Sequence, residues 1–385
     1  MKSIKWIKIF FSLILITTIF IGAINYIVDP YGIYNMNVFK NKPKQSNKIK
    51  LVKAIKVKEI KPASIVLGTS RAEYGYDPTH EYFIKPSYNL ATSGSSVYEN
   101  KLYLKWALKQ GNLKKVLLVA DYIMFNNKTQ RSVDDFETYF NDKNIYSLLF
   151  SLDVFKDSYK TIFNNKKLSE YLQNGQKDHN NSWSDILKNG GHLEKMKRDE
   201  SKYYKNYLTN YEYQDTKKES FQDFEEILKL CYENNIELDI VFGPSHIRQW
   251  EALNYYLNIN KWFEWKRDII FFVDKIGKQY NKESFRIMDF SVYHFLTSEI
   301  VPINKNIQMK YYWEGSHYKN ELGLIVLDRL TGNDKYKDFG VQLNIKNIDE
   351  YLEQQKIDRY KFINTEKYRI DFEEYLKINN KLVKD

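Results

Sequence analysis

Three side chains suited to acyl transfer lie at the ends of apolar runs in this chain. Ser70 closes the stretch "SIVLGTSR", which delivers a hydroxyl directly after a short apolar run. His317 lies in "YWEGSHY", with Glu314 three residues before it. A serine hydroxyl is a weak nucleophile until a base takes its proton and a third group orients that base. His317 is the candidate base, and Glu314, in a turn, can set its carboxylate against the same imidazole and favour the imidazolium formed during attack. Backbone N–H groups of Ser70 and of Gly94, in "NLATSGSS", can hold the resulting oxyanion, Gly94 because a missing side chain allows close approach. Around them stand Arg71, Asp121 and Tyr122 in "LLVADY", and His246 in "VFGPSHIRQW". Arg71 is expected to pair with Asp121 as a clamp in preference to recognising an anionic substrate. His246 is a secondary candidate for substrate contact, against an ordinary role as a polar loop residue.

Each residue alone has a plain structural role: Ser70 as the N-cap of a following helix, His317 as a surface loop residue, Glu314 as a solvated carboxylate. Their joint placement favours chemistry, and that placement depends on the elements carrying them. Short apolar runs alternate with amphipathic stretches, a pattern that predicts an α/β fold with a parallel five-stranded sheet flanked by helices. The strands are read as residues Ser64–Gly68, Ser87–Leu90, Lys115–Asp121, Glu237–Gly243 and Phe285–Asp289. Every candidate above then falls beyond the carboxyl end of a strand, where the loops of an open parallel sheet converge on one crevice. A helix over Tyr98–Gln110 ends at Gly111, and Phe221, Phe224, Leu228 and Cys231 share one face of another, which makes Cys231 a core residue.

The interval from about residue 125 to 218 carries no comparable strand and reads as a helical insertion, either shaping a cleft or elaborating the packing. Residues 331–385 are highly charged and read as a helical C-terminal extension. Ile9–Val28 is about 20 residues without a charge, enough to cross a hydrocarbon core as a transmembrane helix. Its apolar run exceeds a usual signal-peptide core and "IGAIN" is a poor cleavage site, which favours an uncleaved anchor. Lys2, Lys5 and Lys8 precede it and Asp29 follows, so residues 1–8 are expected in the cytoplasm and the main domain outside.

The net charge of +10 owes much to the lysine-rich stretch of residues 29–62, read as a basic connector beside the lipid headgroups. No nucleic-acid-binding signature accompanies it, so no nucleic-acid partner is expected. A single cysteine excludes an intrachain disulfide and a cage of several thiolates, and the scattered histidines form no H-x-H or H-E-x-x-H pair. Neither a metal nor a cofactor is expected.

Three blocks, "VLGTSRAEYGYDP", "NLATSGSS" and "EGSHY", resemble those of the SGNH/GDSL hydrolase superfamily, in its membrane-anchored branch of envelope acyltransferase-like proteins. The resemblance covers about residues 63–330. It implies a flavodoxin-like three-layer sandwich, Ser70 as nucleophile, Gly94 as oxyanion donor, and Glu314 and His317 as the other triad members. It also implies a bacterial-type cell-membrane location, an envelope-glycan substrate and a membrane-bound acyl-donor partner. Two positions depart from the family: Glu314 stands where Asp is usual, and Asp121 where a Gly-x-Asn amide normally faces the oxyanion. Losing one such donor typically costs about 10²–10³ in rate. The expected function is a serine esterase or O-acyltransferase. A non-catalytic glycan- or partner-binding protein of the same fold is the alternative, and a flavodoxin-like phosphate site at "GTSRAEYG" is disfavoured because the chain lacks G-x-G-x-x-G and G-K-[ST].

Overall fold

Runs of Val, Ile and Leu bounded by turn residues form strands when both faces are covered, and here Ile65, Val66, Leu117, Val119 and Ile240 are all fully buried. A computed structural model describes residues 2–133, 136–140, 143–164, 166, 168–178, 180–204 and 210–366. The chain opens with helix α1 (Lys2–Val28) and α2 (Ile49–Ile60). Strand β1 (Ser64–Leu67) feeds α3 (Ser70–Gly75), and β2 (Ser87–Asn89) feeds α4 (Val97–Lys109). After β3 (Lys115–Val119) come α5 (Lys143–Leu149), α6 (Leu152–Phe163), α7 (Asn180–Lys188), α8 (His192–Tyr204) and α9 (Ser220–Glu233). Then follow β4 (Glu237–Phe242), α10 (Ile247–Leu257), α11 (Asn260–Gln279), β5 (Arg286–Asp289), α12 (Asn320–Thr331), β6 (Val341–Leu343) and α13 (Ile348–Ile363).

The chain divides into two units, Met1–Glu59 with Asp134–Gln173, and Ile60–Val133 with Asn174–Asp385. The larger holds one sheet of order β2-β1-β3-β4-β5-β6. Its first five strands are parallel and β6 runs antiparallel to β5. The register brings Leu67 opposite Leu118, Val119 opposite Val241 and Phe242 opposite Asp289, so the carboxyl ends of β1, β3, β4 and β5 finish together. From β1 the chain steps one way to β2, and from β3 it steps the other way to β4 and β5. A crevice opens beyond two strands where their connections diverge in this manner, here β1 and β3.

The expected five-stranded sheet is corrected to six. The extra strand comes from the C-terminal segment read as a helical extension, which supplies both β6 and α13, while residues 367–385 of that segment lie outside the described residues. Three residues at a sheet edge are too few to leave a period in the sequence.

In the smaller unit, α1 is long and apolar enough over Ile4–Val28 to cross a membrane. The stretch expected to be a basic connector is folded: Leu51, Val52, Ala54, Ile55 and Val57 of α2 are buried, and three of them cluster with Tyr31, Ile33 and Val154. Lysines interleaved at every turn hide this helical spacing in the composition. Asp29 fixes the exit from α1 by accepting N–H bonds from Ile33, Tyr34 and Met36 at 2.8, 3.1 and 3.2 Å. The regular elements described in the interval 125–218 are helical, joined by turns and irregular stretches, and they divide between units, with α5 and α6 in the smaller and α7 and α8 in the larger.

Candidate active site

At the end of β1, Gly68 adopts φ +147°, and a Cβ there would lie 2.8 Å from the Ala72 Cβ and 3.0 Å from the Val119 carbonyl oxygen. Only glycine fits both the conformation and the space. Thr69 then caps α3, its Oγ1 accepting the Arg71 N–H at 3.4 Å and donating to Asp121 Oδ2. The capping role considered for Ser70 therefore belongs to Thr69. Ser70 occupies the first helical position, and its Oγ meets His317 Nε2 at 2.6 Å.

His317 stands on the returning arm of a tight hairpin, directly after its turn, closed by an antiparallel bridge between Tyr312 and Tyr318 and by the Trp313 N–H donating to the His317 carbonyl at 2.9 Å. Within it, Glu314 folds back on the following turn. Its buried carboxylate accepts the Ser316 N–H at 2.8 Å, the His317 N–H at 2.9 Å and the His317 Nδ1–H. This turn places the longer arm of a glutamate against the imidazole. Burial alone would raise the Glu314 pKa, but the charge and hydrogen bond of His317, with the Ser316 N–H, outweigh it and hold the group at about 2. An ionised Glu314 only accepts, so Nδ1 carries a proton and Nε2 is the ring nitrogen turned to Ser70.

The helices behind these loops touch backbone to backbone. A Cβ on Gly323 of α12 would fall 1.7 Å from the Gly75 carbonyl oxygen of α3, and one on Gly75 would fall 2.2 Å from the Tyr318 ring. Tyr74 meets the His317 ring edge-on at 5.5 Å. His192 braces the approach to the hairpin, its Nδ1–H donating to the Trp313 carbonyl at 3.1 Å while Nε2 accepts the Met309 N–H at 3.0 Å. Burial lowers its pKa to about 4, which keeps the ring neutral near pH 7.

Arg71 and Asp121 form the expected pair, Nη1 to Oδ1 at 3.1 Å, and Arg71 Nε also donates to the Ser316 carbonyl at 3.3 Å. The guanidinium thus ties together the loops after β1 and β3 and the histidine hairpin. Tyr122 is buried edge-on against Trp265 at 5.6 Å. With Arg71, Asp121, Gly243, Trp250 and Trp265 it lines a cavity of about 40 Å³.

His246, the secondary candidate for substrate contact, takes the ordinary structural role set against it. It caps α10, Nδ1 accepting the Arg248 N–H at 3.2 Å and Nε2–H donating to the Glu299 carbonyl at 2.8 Å, so folding uses both ring nitrogens. Gly94 lies in the exposed turn after β2 with φ +68°, and nothing stands within 4 Å of a Cβ built on it. Its backbone lies in the left-handed region that favours glycine. The Thr92 N–H donates to the Gly68 carbonyl at 3.2 Å and Ser93 Oγ to Glu73 Oε2 at 2.8 Å, which ties this turn to the junction carrying Ser70.

Thr69, Gly75, Gly323 and His192 were not singled out by sequence reasoning. The glycines within helical patterns were the available signal. Set against models of known families and against the curated proteins, the chain matches none.

Proposed function

We propose that this protein is a membrane-anchored serine esterase or O-acyltransferase of the SGNH/GDSL kind, acting on acyl esters of a cell-envelope glycan. One observation carries the reading: Ser70 Oγ, the His317 imidazole and the ionised, buried Glu314 form a continuous hydrogen-bonded relay at the carboxyl edge of the sheet. The strand order of the first five strands is that of flavodoxin-like doubly wound sheets, with the crevice at β1 and β3, and this supports the three-layer sandwich of that superfamily.

Ser70 Oγ attacks the acyl carbonyl carbon while His317 Nε2 takes its proton, and Glu314 stabilises the imidazolium. The oxyanion accepts from the backbone N–H groups of Ser70 and Gly94. On collapse His317 returns the proton to the leaving alkoxide, and the acyl group stays on Ser70. Water or a sugar hydroxyl then gives its proton to His317 and attacks the acyl carbon, the bond to Ser70 Oγ breaks, and His317 returns that proton to Oγ, so hydrolysis and transfer share one acyl-enzyme. Arg71 balances Asp121 at the position where the family usually offers an amide. With α1 crossing a bacterial-type cell membrane and Lys2, Lys5 and Lys8 on the cytoplasmic side, the catalytic unit faces the envelope, where a glycan and a membrane-bound acyl donor are its partners.

The test uses the full chain in detergent with a fluorophosphonate probe and p-nitrophenyl acetate. Wild type is expected to label at Ser70 and turn over the ester, and Ser70→Ala to do neither. Equal turnover by both removes the reading.

A further inference from the structure

We infer that the corner formed by α5 and α6 lies in the headgroup–hydrocarbon boundary of the bilayer that α1 crosses, as a second, in-plane membrane contact. The inference rests on reading α1 as a membrane span. Asn25 of α1 donates from Nδ2 to the carbonyls of Leu149 and Ser151 at 2.8 and 3.1 Å, and its Oδ1 accepts Ser158 Oγ at 3.0 Å. One turn earlier, a Cβ on Gly22 would lie 2.9 Å from the Phe150 ring, and the Phe20 and Phe155 rings are 6.5 Å apart.

These contacts occupy the last two turns of an apolar run, within about 12 Å of the end of α1 at 1.5 Å per residue. Whatever packs there shares the depth of that part of α1, near one face of a hydrocarbon layer about 30 Å thick.

The chemistry of the corner suits that depth. Val154, Ser158 and Thr161 of α6 face inward, whereas Tyr146, Phe150, Leu152, Tyr159 and Phe163 are all more than half exposed. Tyr159 and Phe163 pair at 4.5 Å on this outer side, and beside them stand the exposed Lys156, paired with the exposed Asp153 at 3.1 Å, and Lys160, 3.7 Å from Asp157. Aromatic rings at the interface, with lysine stems reaching to phosphate, are the composition of a helix lying in the membrane plane. Lipid is the occupant because the patch is continuous with α1, itself built to face lipid.

The full chain is reconstituted in vesicles of phosphatidylethanolamine and phosphatidylglycerol, with a nitroxide on a cysteine introduced by Ile14→Cys, Leu152→Cys, Phe163→Cys or, as an exposed reference, Lys346→Cys. Native Cys231 is buried and its thiol pKa is pushed up, so it does not compete for label. The readout is the ratio of collisions with oxygen to collisions with a water-soluble nickel chelate. Positions 152 and 163 are expected to give ratios several-fold above position 346, with position 14 higher still. A lipid-like position 14 with 152 and 163 matching 346 overturns the inference alone. Labels at 152 and 163 shielded from both agents overturn it in favour of a protein partner or second copy. A water-like position 14 removes the membrane span, and the inference with it.

Discussion

Gly323 of α12 crosses Gly75 of α3 so closely that a Cβ on the former would stand 1.7 Å from the carbonyl oxygen of the latter. Ser70 begins α3, and His317 lies three residues before α12, so this crossing sets the distance between hydroxyl and imidazole. Gly323→Ala must push the helices apart. Overpacking of this kind costs about 1–3 kcal/mol. We expect a lowered Tm and, at temperatures where the variant is fully folded, a further loss of ester turnover as the 2.6 Å contact opens. Wild-type turnover in a folded Gly323→Ala variant would show that the crossing does not position the pair.

Glu314→Gln keeps the shape of the side chain and removes its charge. The amide can still accept one backbone N–H, but it no longer fixes the His317 proton on Nδ1 or balances an imidazolium. Loss of the equivalent charge in a serine triad lowers kcat by about 10⁴ with the geometry intact. A comparable fall in p-nitrophenyl acetate turnover is expected, with Tm lowered far less than activity. Unchanged turnover would make Glu314 a turn-former only.

The strands were legible because fully buried parallel strands announce themselves as unbroken apolar runs, and Ser70, Glu314 and His317 because each follows such a run or sits in a short polar block. The contacts that bring them together were not. Gly75 and Gly323 are distant in sequence, and each alone reads as a tolerated helical glycine. The lysines of α2 masked a buried face, β6 is too short to show a period, and the fold-fixing role of His246 depends on the Glu299 carbonyl, 53 residues away.

Arg71 and Asp121 are both buried, and the guanidinium also holds the Ser316 carbonyl. Removing one partner of a buried pair leaves an uncompensated charge and costs about 3–5 kcal/mol. Asp121→Asn is therefore expected to lower stability by roughly that amount. Arg71→Met combined with Asp121→Asn should cost less than the sum of the two single changes, because the stranded charge is gone. Thermal unfolding of the full chain in detergent measures all four proteins, and strictly additive effects would mean that the pair is not coupled.

His192 and Glu314 give stability two separate dependences on pH. The buried His192 holds a pKa of about 4 in the folded chain, below the ordinary value of 6.5, so the unfolded chain binds a proton that the folded one refuses. Its contribution is complete above pH 6.5 and is lost as pH falls from there to about 4. Glu314, held at about 2 against an ordinary 4.5, contributes fully above pH 4.5 and loses that contribution as pH falls from there to about 2. The Tm of wild type is thus expected to decline first between pH 6.5 and 4 and again below 4.5. His192→Gln, whose amide has no titration in this range, should flatten the first decline and leave the second in place. Glu314→Gln should do the reverse, and an identical Tm–pH curve for His192→Gln and wild type would show that His192 takes up its proton without cost to the fold.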